Sequence, residues 1–562
     1  MKTDKYIIYN LPLRGDDTPP AWNNREMAWG MKRLLEKHGI AGTWLPRYDA
    51  LCDPEYIELC KGLDKDQELG VWLEITSSHC REAGIPFKIR QGEEWFWAKY
   101  CLTMGYSQKE RKLLIDVIMK RYRSLFRFYP KTVSMWMIDS FSAQYLAEKY
   151  KVRAIGLCRN QFGIDGYTLW GGWPNLPFRP SRRYIWQPAQ SKQGQGKEVI
   201  YPVITEDLTS NYGNEKGIWS TEVAMIQQRS LKGSVIIGYI NKLTDHALGE
   251  KPVGLASFVA ENGWDWKMLA AAYEEQIACL AKLHKEGRAE SVTASEFSKN
   301  YLRNFSAPSP AQILYQPGGW RSSLKNSSCV VACTPYYRAR LRHDKGSAAY
   351  PRLTDLRVYD IKKKDPYWSK KAEEKFARWI IPYLLDSSRF RLDRKDDNPV
   401  VDIDENKPMH FSIFAVPGTK TVSPGKLFKK NERVFIWKDK NVEAEWIFKD
   451  KEILVSAKPL KKNIAATLRF TCAPKVLKLG IVRSRKIITL GSLKPGVYNF
   501  GKIVLVNLEA DGGKAAVKIS GAKKGGKLIA DWNSCGTGSV LSISDGKSKA
   551  LNLRLKPFIS SH

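Results

Sequence analysis

Up to about residue 305 the sequence alternates strand-like and helix-like segments; beyond that point helix periodicity all but vanishes. That switch constrains the fold more than any single motif. Strands alternating with helices imply parallel strands joined by crossovers, whereas short alternating runs broken by Gly, Pro and Asn imply antiparallel sheets. KYIIYNLPL opens the series, followed by a helix pattern with Met27, Met31, Leu34 and Leu35 on one face and Gly39 as its C-cap. GTWLPRYDAL, ELGVWLEIT, SMWMID, VRAIGLC and EVIYPVI read as strands two to six. GSVIIGYI is predicted as the seventh, a helix runs from about Asp265 to His284, and ESVTASEF closes the series. Ser107 to Glu110 make a capping box that opens a long helix.

Seven or eight such strands predict a (β/α) barrel over residues 1–305, followed by C-terminal all-β sandwich domains. The expected division is a β-rich domain with one helix near 370–386 over residues 306–425, then a basic β-sandwich over 426–562. A chain of 562 residues is too long for one core in any case.

In barrels of this kind chemistry collects at the C-terminal ends of the strands. Arg14, Asp16 and Asp17 follow strand one, and Arg47 and Asp49 end strand two. Glu74 ends strand three and Asp139 strand four. Gln161 and Asp165 follow strand five, Glu206 and Asp207 strand six, and Asp245 and His246 the predicted seventh. Alternation turns Trp72 and Glu74 to the same side, away from Val71, Leu73 and Ile75. A carboxylate there is either neutralised by Arg14 or Arg47, or held at raised pKa for proton transfer. Asp139 has two readings as well, a second catalytic carboxylate or the N-cap of the next helix. Asp165 lies in a glycine-flanked aromatic loop ending in Trp170; it either grips sugar hydroxyls or shapes a turn. Trp72, Trp136 and Trp170 are candidate stacking platforms, with core packing as the alternative.

These segments resemble the glycoside hydrolase/polysaccharide deacetylase-type barrel superfamily, and are most similar to its poorly characterised bacterial members. The likeness rests on GTWLPRYDAL, ELGVWLEIT, YPKTVSMWMIDSFSAQYLAEKY, NQFGIDGYTLWGG with PFRPSRR, and VTASEFSKNY, and spans roughly residues 5–302. The resemblance implies a carbohydrate-active enzyme. The deacetylases of that superfamily hold a divalent metal with an Asp after strand one and a His-x-x-x-His after strand three. Asp16-Asp17 matches the first element, but the strand-three region offers Glu74 and a lone His79. The expectation is therefore a site without metal or other cofactor. The reading it favours is a glycoside hydrolase with Glu74 and Asp139 as paired carboxylates. Arg14, Asp16, Asp17, Arg47, Asp49, Trp72, Trp136, Gln161, Asp165, Trp170, Glu206 and Asp245 are then its substrate-binding residues. A divergent metal-dependent deacetylase and a non-catalytic glycan-binding or envelope-associated protein are the alternatives.

Charge bears on partners. The chain carries a formal +33, of which residues 410–562 contribute +19. Such a surface favours polyanions, and the substrate is expected to be a polysaccharide or oligosaccharide, possibly anionic. No basic helix with interleaved aromatics and no Cys/His finger is visible, which speaks against nucleic acid. MKTDKYIIYNLP is not a signal peptide and no apolar run is long enough to span a bilayer. The chain as given is expected in the cytoplasm, or at the envelope or outside the cell if a leader has been trimmed away.

Overall fold

The structure is a computed structural model. It describes residues 4–18, 23–87, 89–90, 93, 96–157, 161–164, 167–209, 219–227, 234–305, 308–318, 327–343, 351–373, 377–381, 383–386, 410–416, 425–461, 465–472, 478–483, 486–489, 496–499, 503–510, 513–520, 529–535, 538–544 and 551–558. Backbone alone is described for 161–164, 167–170, 377–380, 410–416 and most strands between 465 and 544. The chain divides into two compact units. The first holds Met1–Asp207, Glu215–Pro310 and Ile361–Ile380; the second holds Leu208–Asn214, Ala311–Asp360 and Ile381–His562.

The first unit carries strands β1 (Lys5–Leu13), β2 (Gly42–Pro46), β3 (Glu68–Leu69), β4 (Val71–Trp72), β5 (Thr132–Ser134), β6 (Ala154–Leu157), β7 (Gln161–Ile164), β8 (Tyr167–Trp170), β9 (Val199–Pro202), β10 (Gly254–Val259) and β11 (Glu290–Ser291). Two parallel sheets result, ordered β10-β1-β2-β3 and β4-β5-β6-β9, with helices in the β1–β2, β2–β3, β4–β5, β5–β6 and β9–β10 connections. β7 and β8 form a hairpin, and Ala377–Ile380 adds to it in parallel with β8.

Local chemistry explains the helices. Asn24 caps Arg25–His38 through Met27 N at 3.0 Å, and Gly39 ends it at φ 66°, burying the expected Met27, Met31, Leu34 and Leu35. The helix Gln108–Phe126 opens on the expected capping box of Ser107 and Glu110.

Two segments depart from expectation. GSVIIGYI is not a strand: it begins the helix Ser234–Leu248, and the strand in its place is β10, GLASFV. The apolar run is short enough to suit either state, but Ile236, Ile240, Leu243 and Ala247 are buried while Val235, Lys242 and Asp245 are exposed, a helical period. The helix expected near 370–386 is also absent: Ala377–Ile380 and Tyr383–Asp386 are strands. Pro382 between them lacks the N–H a helix interior needs.

Along β1 the side chains of one face change character from bottom to top. Tyr6 and Ile8 join an apolar cluster with Val199, Tyr201, Leu255 and, from the helix Ala294–Asn304, Phe297 and Tyr301. Asn10 comes next; it accepts from Tyr201 Oη at 3.0 Å and donates to the carbonyls of Val203 and Phe258. Arg14 stands just beyond the strand's end. The interior thus runs from apolar through neutral polar to charged.

The second unit is antiparallel. A ten-stranded sheet runs from Gln312–Gln316 to Gly496–Asn499, and a nine-stranded sheet from Lys426–Asn431 to Lys486–Thr489. Val434–Lys438, Val442–Phe448, 453–457 and 551–556 of the second sheet bury alternate residues, so one face packs inward and the other meets water.

Candidate active site

Four strand ends of the first unit bring five buried charged side chains together: Arg14 after β1, Arg47 and Asp49 after β2, Glu74 after β4 and Glu261 after β10. The backbone sets this up. Gly15 N donates to Asp49 Oδ2 at 3.0 Å and Asp17 N to the same oxygen at 3.1 Å. A Cβ on Gly15 would stand 2.6 Å from the Asp49 and Ala50 backbone, so only glycine allows the β1 and β2 ends to approach this closely. Asn262 closes the other side. Its amide oxygen accepts from Arg14 N at 2.9 Å, and its amide nitrogen donates to Arg14 O at 2.9 Å and to Tyr56 Oη at 2.6 Å.

Within this frame Arg47 is forked onto Asp49, with Nε to Oδ1 at 2.7 Å and Nη2 to Oδ2 at 2.5 Å, while its Nη1 reaches Glu74 Oε2 at 3.0 Å. Arg14 gives Nε to the same Glu74 oxygen at 3.4 Å and Nη1 to Glu261 Oε2. Both contacts to Glu74 therefore fall on Oε2, and its Oε1 makes no hydrogen bond among the described residues. Among the described residues of the cluster three carboxylates, Asp49, Glu74 and Glu261, face two guanidiniums. Burial pushes the Glu74 carboxyl up, but Arg14 and Arg47 outweigh it and hold the group below its ordinary range. Burial likewise opposes the charge on Arg14, and Glu261 and Glu74 more than restore it. Glu74 is thus an anion, not the proton-holding acid that raised pKa would make it.

At the edge of the cluster Asp17 accepts from Ser78 N at 2.8 Å and Ser78 Oγ at 2.5 Å. Burial raises its pKa, and the hydrogen bonds from Ser78 and Thr76 bring it below the usual value. Trp72 is fully buried, edge-on to Trp136 with ring centres 4.9 Å apart; Trp136 is half-buried.

The other sequence candidates lie elsewhere. Asp139 caps the helix Ser140–Lys149, taking Ser142 N at 2.9 Å, Ser142 Oγ at 2.8 Å, Thr103 Oγ1 at 2.7 Å and Arg111 Nη1 at 2.9 Å. It shares no hydrogen-bond partner with Glu74 among the described residues. Asp16 is exposed and pairs with Arg25 at 3.1 Å. Glu206 is buried, its backbone clasped by Asn175. Asp245 does not end a strand: it sits on the exposed side of the helix Ser234–Leu248, 3.1 Å from Arg288, and His246 follows it there. Asp165 and the side chains of Gln161 and Trp170 lie outside the described residues.

Sequence reading missed two groups. Glu261 was hidden because the strand preceding it was placed in GSVIIGYI; the signal was the run GLASFV, flanked by Pro252 and by Gly263. Asp365, in a lysine-rich stretch that reads as a linker, accepts from Ser140 N and Oγ at 2.7 Å, and burial next to Asp139 pushes its carboxyl up to about 6. Arg111 binds the same stretch, donating to the carbonyls of Tyr367 and Lys370.

A divalent metal does not fit this site. Glu74 offers its Oε2 to two guanidiniums. His79 is buried under Tyr48, its Nε2 lies 2.8 Å from Leu114 O, and burial pushes its pKa down to about 4. Among the described residues no three His, Cys, Asp or Glu side chains converge as ligands.

No family model and no curated protein matches the chain. Solved structures do. A Parabacteroides distasonis protein, described provisionally as a glycoside hydrolase/deacetylase, aligns with a TM-score of 0.50 at 14% identity, over 68% of this chain and 91% of its own. A protein from Mycobacterium smegmatis, described provisionally as a polysaccharide deacetylase, aligns at TM-score 0.34 and 11% identity, over 55% of this chain and 94% of its own. The peptidoglycan deacetylase PdaC from Bacillus subtilis gives 0.24 and 12%, over 54% and 98%. The first likeness shows the fold alone, an α/β architecture like that of the Parabacteroides protein, with antiparallel sheets after it in this chain. The other two, below a TM-score of 0.5, add no argument.

Proposed function

We propose that the protein is a carbohydrate-active hydrolase of the glycoside hydrolase/polysaccharide deacetylase type, cleaving a glycosidic bond without a resident metal. In this reading the two parallel sheets close into a barrel, through Gly70 N to Trp44 O and Thr205 N to Ser257 O. The carrying observation is the state of Glu74: a buried anion anchored by two guanidiniums through one oxygen, with the other oxygen uncommitted. Such a carboxylate is suited to act as nucleophile or base, and Glu261, held across Arg14, is the second carboxylate. The cluster's carboxylates favour the positive charge that develops on the sugar ring as the bond breaks. Asp139 belongs to the scaffold in this reading.

One observation favours a second reading. Where the cluster's carboxyls are shifted, at Glu74 and Asp17, the shift is downward, so neither stores a proton for the leaving oxygen. A glycan-binding site without turnover matches that state. The test is to incubate the full chain with a panel of neutral and acidic polysaccharides, with and without chelator, and to measure new reducing ends and free acetate. Reducing ends that persist in chelator support the proposal. Acetate release lost on chelation overturns it, and saturable glycan binding with no product selects the second reading.

A further inference from the structure

We infer that the solvent face of the nine-stranded sheet, across Lys426–Asn431, Val434–Lys438, Val442–Phe448, Ile453–Pro459, Leu551–Phe558 and the end of Gly513–Ser520, binds an acidic polysaccharide. This inference is independent of the strand-end site in the first unit.

Register defines the face. Phe428, Ile436, Glu445, Ser456, Asn552 and Ser520 stand opposite one another across six strands. The neighbouring row is Val434, Ile447, Leu454, Arg554 and Lys518. A trough of about 360 Å³ lies where these rows meet, lined by Ile447, Leu454, Ser456, Ser520, Asn552 and Arg554. With about 4.8 Å between strands, six strands span about 24 Å, room for several sugar units laid across them.

The charges on this face argue for an anion. Lys426 stands directly opposite Lys438, and Lys518 directly opposite Arg554. Like charges opposite one another on a ladder cost stability, so a sheet that keeps the exposed Lys426 and Lys438 opposite each other carries a feature its own folding does not favour. Part of the charge is balanced internally: Glu443 pairs with Lys438 and Lys458, Glu445 with Lys430, and Glu452 with Arg554. Lys426 and Lys556, both exposed, have no carboxylate partner among the described residues. A polyanion would relieve the Lys426–Lys438 repulsion.

The chemistry between the charges selects the kind of polyanion. Ser456, Ser520 and Asn552 offer hydroxyl and amide groups to sugar hydroxyls. Val434, Ile447 and Leu454 form a half-buried apolar strip, and Phe428, 44% exposed, presents a ring to a sugar face. Base stacking on single-stranded nucleic acid calls for several aromatic platforms, and among the described residues this face exposes one, Phe428. It is a flat sheet with polar rows, not an amphipathic helix able to enter a lipid interface.

The experiment is calorimetric titration of the full chain with polygalacturonate, dextran, duplex DNA and phosphatidylglycerol vesicles, at low and high salt. Expected are binding to polygalacturonate that weakens as salt screens the charges, and little or no binding to dextran. The variant Lys426→Gln/Lys556→Gln, at two exposed positions, should bind polygalacturonate at least about tenfold more weakly, yet melt no lower than the parent because the Lys426–Lys438 repulsion is relieved. Phe428→Ala, a change at an exposed position, should also weaken binding without lowering the melting point. Unchanged affinity in both variants, or tighter binding to DNA or to vesicles than to polygalacturonate, overturns the inference. So does the absence of any binding.

Discussion

Glu74 and Asp139 look alike in the sequence, each a carboxylate at the end of a strand beside a tryptophan-bearing segment. Both are buried, and both are paired with arginine. Their anchoring differs. Asp139 is held by a helix-capping N–H, two hydroxyls and a guanidinium, so both its oxygens are spoken for. Glu74 is held by side-chain charge alone, through one oxygen, by arginines that already have other carboxylates. Saturated local bonding suits a scaffold, and a single anchored oxygen suits the reacting group proposed above. Burial and ion pairing are common to both carboxylates; the count of donors is what differs.

The comparison breaks most visibly at Arg111. Arg111→Met strands Asp139 and releases the carbonyls of Tyr367 and Lys370, so it should cost about 3–5 kcal/mol, as when a buried pair loses one partner. Chemical denaturation measures this; a loss below about 1 kcal/mol would remove Asp139 from the scaffold. Glu74→Gln should do the opposite. It leaves the Arg47–Asp49 and Arg14–Glu261 pairs intact, so the fold should hold while turnover falls by a factor on the order of 10² or more. A large drop in stability with activity preserved would make Glu74 a second Asp139.

A smaller effect sharpens the Asp139 side. The Asp365 carboxyl is raised to about 6 by burial and by Asp139. Between its unfolded value near 3.8 and about 6 the unfolded chain ionises first, so this group lowers stability as pH rises through that window and adds no further change above it. Asp365→Asn should therefore stabilise the protein at pH 7 by roughly 1–3 kcal/mol, with the gain fading toward pH 4. Melting curves across pH measure it, and a pH-independent difference would reject the assignment. The smallest effect is expected at Asp245, where an exposed ion pair on a helix contributes little. Asp245→Ala should leave both melting point and turnover at the parent's values, and lost turnover would return the residue to the site.

Much of this arrangement was legible in the sequence. Arg14, Arg47, Asp49 and Glu74 follow from counting strand ends, since period-two alternation fixes which side each residue faces. Glu261 was not legible, because the short, mostly apolar run at 233–240 suits a strand as well as a helix and only the burial period of the completed helix decides. The sign of the Glu74 shift was open for a different reason. Sequence places a carboxylate near two arginines, but whether burial or charge wins depends on distances of about 3 Å that only the folded chain sets. Asp365 was hidden by its neighbours: lysines on either side gave it the look of a solvated linker.

The return of residues 361–380 to the first unit has a consequence for synthesis. The chain passes between the units five times before its C-terminus. Arg111 must wait for the carbonyls of Tyr367 and Lys370, and the β7–β8 hairpin for its third strand at Ala377–Ile380. Vectorial folding from the N-terminus cannot finish the unit early: a nascent chain ending at residue 305 already contains every strand of the two parallel sheets yet leaves a buried cation without two of its acceptors. On the ribosome, the first unit is completed only after the chain has entered and left the second.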